Sequence, residues 1–184
     1  FEGSGGAAWK PCDTTAPQNA YGRSKLAGEN GIRNSGVTHA ILRTSWIVSA
    51  HGANFVKTML GLSETRDSLS VVADQIGGPT PARDIARACL MIAQQLQEDP
   101  SKSGIYHYSG APSVSWAGFA TSIFMQAARP VTVTPIQTAA YPTPAKRPLN
   151  SRMDCSTTFS TFGIEQPDWR IGLKEMLKEL EVTA

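Results

Sequence analysis

Tyr21 and Lys25 stand four residues apart in Asn19-Ala20-Tyr21-Gly22-Arg23-Ser24-Lys25. On a helix, residues at i and i+4 share a face, so this spacing sets a phenol beside an ammonium. A free tyrosine has a pKa near 10 and exchanges protons poorly at neutral pH. A neighbouring cation favours the phenolate and eases proton exchange with a bound oxygen. Proton delivery to a carbonyl oxygen is the chemistry such a pair suits, although the pair by itself is a weak signal. Further along, Thr44, Ser45 and Trp46 follow a short apolar run, where doubly wound sheets place their ligands beyond the strand ends. Gln75 and Thr80 flank Gly77 and Gly78, in position to hydrogen-bond either a ligand or the loop itself. Arg147 lies in a proline-rich stretch, and its guanidinium fork suits a diphosphate, though a loop arginine is commonly a solvated charge.

These residues need elements to hold them. Helix formers run from 17 to 34, with Pro17 at the entry and Gly36 beyond the exit, which is the asymmetry of a helix. The run 38–45 reads as a buried strand, 54–65 as a helix and 69–73 as a strand. Gly77-Gly78-Pro79-Thr80-Pro81 reads as a turn. A helix is expected over 82–97 and a strand over 104–109, then a helix over 115–128 capped by Ser113 or Ser115. A β-branched run follows at 131–136, a proline-rich loop at 140–151 and an amphipathic helix at 169–180. Alternation of this kind predicts an α/β fold with a largely parallel sheet.

Composition narrows the function. The 184 residues are 41% hydrophobic and 17% charged, which disfavours disorder. Seventeen basic against fifteen acidic residues leave a net charge of only +2, which gives no footprint for nucleic acid or for a membrane surface. Cys12, Cys89 and Cys155 are odd in number and lack a CxxC spacing, so neither a disulfide framework nor a zinc site is indicated. No apolar run approaches the roughly 18 residues of a membrane span. A soluble, cytoplasmic protein with a small polar ligand is the expectation. His39, His51 and His107 are scattered and receive no role.

A longer ordered set of residues surrounds the pair. It comprises Phe1-Glu2-Gly3, Trp9, Asp13, Pro17, Tyr21-Gly22, Ser24-Lys25, Gly28-Glu29, Leu42-Arg43-Thr44-Ser45-Trp46, Asn54-Phe55, Asp74-Gln75 and Gly78-Pro79-Thr80. Tyr141-Pro142-Thr143-Pro144, Arg147-Pro148, Asn150-Ser151-Arg152 and the terminal helix extend it. With these motifs in register, the chain resembles the C-terminal part of the dTDP-4-dehydrorhamnose reductase family, within the extended short-chain dehydrogenase/reductases. The resemblance implies part of a doubly wound Rossmann-like parallel sheet over 1–80 and a smaller, mainly substrate-binding α/β region over 81–184. It implies reduction of the 4-keto group of dTDP-6-deoxy-L-lyxo-4-hexulose to dTDP-L-rhamnose with NADPH or NADH. Tyr21 would then protonate the carbonyl oxygen, while Lys25 favours the phenolate and hydrogen-bonds the nicotinamide ribose. Trp46 would line the sugar pocket, with Asn54 near the substrate and Phe55 in the core. A homodimer stays open.

The chain also departs from that pattern. The Gly-rich dinucleotide fingerprint, a strand, tight turn and helix N-terminus, does not occur in it; Gly3 to Gly6 lack a preceding strand. The Ser or Thr completing the catalytic trio would lie just upstream of Phe1. The 184 residues by themselves are therefore expected to hold half an active site, to bind no cofactor in the family manner and to be inactive. Glu179 matches one glutamate of a magnesium site seen in some relatives, but Ala82-Arg83 stands where another would be, so no metal is expected. Two alternatives remain: a non-catalytic nucleotide- or partner-binding regulatory homologue, and another nucleotide-sugar epimerase or dehydratase. Retention of both Tyr21 and Lys25 speaks against the first.

Overall fold

Asn19 ends the extended lead-in and its side chain accepts a hydrogen bond from Gly22 N at 2.9 Å, which starts α1 (Ala20–Asn34). The computed structural model of the chain describes residues 1–141, 143 and 147–182. In chain order the elements after α1 are β1 (Ala40–Arg43), β2 (Ile47–Val48), α2 (Phe55–Leu62), β3 (Ser68–Val72), β4 (Ile76–Gly77) and β5 (Thr80–Pro81). There follow α3 (Ala82–Glu98), β6 (Gly104–His107), β7 (Val114–Ser115), α4 (Trp116–Gln126), β8 (Thr132–Ile136), β9 (Asn150–Ser151), α5 (Ser156–Phe162) and α6 (Trp169–Glu179). Ser115 caps α4 by accepting from Gly118 N, one of the two caps expected. Residues 142 and 144–146 of the expected proline-rich loop lie outside the described residues.

The fold is mixed α/β. Parallel pairing dominates it: β1 with β6, β2 with β5, β3 with β8 and β4 with β9, while β4 with β7 is antiparallel. This is the largely parallel α/β arrangement expected, with the described strands grouped as three two-stranded sheets and one three-stranded sheet. The Gly- and Pro-rich link at 77–81 turns the chain after two residues each time, so each short strand pairs with one or two neighbours. Strands before and after residue 80 pair with one another, so the regions 1–80 and 81–184 interleave.

The main core lies between α2, α4, α6 and the β3–β8 pair. Phe119, Ile123, Leu173 and Leu177 are almost wholly buried there, with Trp169 set edge-on to Phe119 at 5.2 Å. A second cluster joins α3, β6 and α5 through Ala88, Ile92, Tyr106 and Phe162. By contrast α1 has no buried residue. An ion pair between Glu29 and Arg43 links it to β1.

Candidate active site

A cavity of about 700 Å³ opens between α1, the end of β1 and the segment 147–153. Tyr21, Lys25, Trp46, Gln75 and Arg147 all line it. Tyr21 is 70% exposed, and Lys25 Nζ sits 5.5 Å from its ring centroid, so the spacing places both on one helix face as a cation–π pair. Trp46 leaves the end of β1 with a positive φ of 46°, a conformation a bulky residue rarely adopts. Its indole stacks on Trp116 at a centroid distance of 3.6 Å and an interplanar angle of 11°. Gly77 backs the other contact: a Cβ there would fall 2.6 Å from Trp46 Cε2. The two tryptophans make one wall of the cavity.

Gln75 is buried, and its amide donates to Thr138 Oγ1 at 3.1 Å, while Thr138 Oγ1 donates to Asp74 Oδ1 at 2.7 Å. That network sets Gln75 at the cavity edge. Arg147 is exposed at the rim. Two expected site residues lie elsewhere. Thr80 is fully buried, its hydroxyl bonded to Ser45 O at 2.7 Å and approached by Gly110 N at 3.1 Å. It holds the loop, the second of the two roles its position allowed. Asn54 is the N-cap of α2, accepting from Val56 N and donating to Ser49 O, and it is not among the cavity-lining residues. Phe55 packs against the core and on Trp116.

The wall opposite the tryptophans begins with Phe1, which stacks on Trp9 at 4.9 Å. Gly3 (φ 78°) must be a glycine, since a Cβ would meet Pro148 at 2.2 Å. Buried Asn150 ties this segment down by donating to Ala7 O at 2.6 Å. Behind it His107 is fully buried, with Nδ1 2.9 Å from Trp9 O and Nε2 without a partner. Burial drives its pKa down from 6.5 to about 4, with Arg43 adding to the effect and the Trp9 carbonyl opposing it.

A family model described as the RmlD substrate binding domain matches residues 1–182. The chain belongs to the RmlD substrate binding domain family. Among its relatives, a dTDP-4-dehydrorhamnose reductase of Sinorhizobium fredii is 43% identical over 183 residues, covering 96% of this chain and 62% of the relative. A crystal structure of a dTDP-4-dehydrorhamnose reductase from Clostridium acetobutylicum superposes with a TM-score of 0.89 at 36% identity, over 98% of this chain and 62% of that one. One from Bacillus anthracis, solved in complex with NADP, gives 0.83 at 36% identity, over 97% and 62%. This RmlD domain thus spans about three fifths of the length of the curated relatives it matches. Among its described residues, no helix is long and apolar enough to cross a membrane.

Sequence reasoning passed over two features of the RmlD domain's site. Trp116 falls within the helix expected over 115–128, and nothing local links it to Trp46. Glu29 and Arg43 were noted as motif residues without a task, although their opposite charges at the edge of the Tyr21 face were a usable signal.

Proposed function

We propose that the protein carrying this chain is an NAD(P)H-dependent reductase acting on dTDP-6-deoxy-L-lyxo-4-hexulose to give dTDP-L-rhamnose. The observation that carries this reading is the shared cavity of Tyr21, Lys25, Trp46, Gln75 and Arg147. Support also comes from the named relatives, which are dTDP-4-dehydrorhamnose reductases. In this reading residues 1–80 complete the Rossmann-like domain and 81–184 mainly form the substrate side.

Tyr21 and Lys25, an exposed phenol and an ammonium on one helix face, would hold the nicotinamide ribose of the cofactor. When bound, it supplies hydride. Tyr21 gives its proton to the 4-oxygen of the sugar, and Lys25 holds the ribose beside it. The tryptophan wall packs on the pyranose, which suits the apolar face of a deoxysugar. Gln75 offers its amide to sugar hydroxyls, and Arg147 faces the diphosphate at the rim.

The direct test is to assay the complete gene product for consumption of NAD(P)H with the dTDP-4-keto sugar as substrate. Turnover dependent on that sugar is expected; its absence would refute the reading. Trp46→Ala in the same protein should raise KM for the nucleotide sugar about tenfold, the size of one lost stacking contact, with cofactor KM little changed. A cofactor-only effect would remove Trp46 from the sugar wall.

A further inference from the structure

Tyr21, Lys25 and Glu29 follow one another at intervals of four on α1, so all three lie along one face. Within these 184 residues Gly22, Leu26 and Glu29 are the half-buried positions of that helix, and Glu29 is the one that reaches β1. Arg43, at the end of β1, is its partner. Its Nε donates to Glu29 Oε1 at 2.9 Å and its Nη2 to Glu29 Oε2 at 2.7 Å, a two-pronged contact that fixes orientation as well as distance. The two side chains are only 13% and 17% exposed. Arg43 is itself braced, with Nη1 3.3 Å from Pro11 O and the guanidinium 5.2 Å from the Phe1 ring centroid.

We propose that the Glu29–Arg43 pair is a positioning device that sets the Tyr21 face toward the cavity and keeps Lys25 free to serve Tyr21. This inference rests on the reductase reading. A carboxylate four residues after a lysine attracts that ammonium on a helix. Arg43 engages both oxygens of Glu29, so the carboxylate is spent on the sheet and Lys25 stays over the Tyr21 ring. Removing Arg43 alone should therefore do more harm than removing the pair: it leaves an unsatisfied carboxylate that draws Lys25 away.

The test compares wild type, Arg43→Leu, Glu29→Gln and the double variant in the complete gene product. Arg43→Leu should lower kcat on the order of 10- to 100-fold with little change in the sugar KM, the size of effect that misplacing a reacting group produces. Adding Glu29→Gln should recover a severalfold part of that loss, which a purely structural role does not predict. A double variant no faster than Arg43→Leu, or a wild-type kcat in Arg43→Leu, would overturn the proposal. A crystal structure of Arg43→Leu reads the same point without any turnover. Lys25 Nζ should move to within about 4 Å of the Glu29 carboxylate; a lysine still over Tyr21 overturns the inference even if the enzyme acts on another sugar. Failure of the wild type with the dTDP sugar, by contrast, counts against the reductase reading. Should Arg43→Leu not fold, Arg43→Lys keeps the charge and loses the fork; its kcat should still fall, and an unchanged value would sink the proposal.

Discussion

Tyr21→Phe in the complete gene product should lower turnover by roughly 10²- to 10⁴-fold, the range supplied by a positioned general acid. Affinity for the nucleotide sugar should hardly move. Phenylalanine keeps the ring beneath the Lys25 ammonium, and only the hydroxyl is removed. A thermal melt alongside the assay checks that the change has not acted through folding. Steady-state kinetics with the ketosugar separate kcat from sugar affinity. Turnover within a factor of a few of wild type would mean that the proton comes from elsewhere.

His107 should make the protein lose stability in mild acid, by about 3 kcal/mol between pH 6.5 and 4. Its ring is fully buried and its pKa falls to about 4, whereas the unfolded chain titrates near 6.5. Between those values the unfolded state binds more protons, so stability rises with pH through the window. It is fully present above pH 6.5 and is lost on descent toward pH 4. The short contact from Nδ1 to the Trp9 carbonyl assigns the ring proton to Nδ1 and leaves Nε2 as the orphan. Protonating Nε2 would bury a charge beside Arg43, which lowers the pKa further. Denaturant melts above pH 6.5 and near pH 4 should show the drop in wild type and a much smaller one in His107→Gln. The lowered pKa values of Asp154, Asp168 and Asp99 begin to cost stability only at the acid end of this window, and the pKa of Asp84, raised by burial, acts in the opposite sense; all four are present in His107→Gln, so the difference between the two proteins isolates the histidine. An identical pH dependence in His107→Gln would show that the histidine is not its source.

Helices with an apolar stripe were legible from the residues alone: α3 and α6 end within one residue of their expected positions. The helix α5 was not, because Ser156–Phe162 is STTFSTF, β-branched and polar without a stripe. The two-residue strands β2, β4, β5, β7 and β9 exist through pairing and carry no local signature. At the site, the Tyr21 and Lys25 face followed from helix periodicity. Gln75 and Thr80, polar residues on either side of the same glycines, could not be told apart in sequence. Packing separates them, one reaching the cavity edge and the other bonded within the loop. Asn54 was readable as a cap, since it directly precedes the apolar run of α2. Trp46 needed Trp116 from a distant helix before its orientation could be known.

That indole pair carries a spectroscopic consequence. Two of the four tryptophans stack with nearly parallel planes at 3.6 Å on a ligand-facing wall, so their electronic transitions couple. Occupancy of the cavity would therefore be written directly into the near-ultraviolet circular dichroism and emission of the native protein, with no added label.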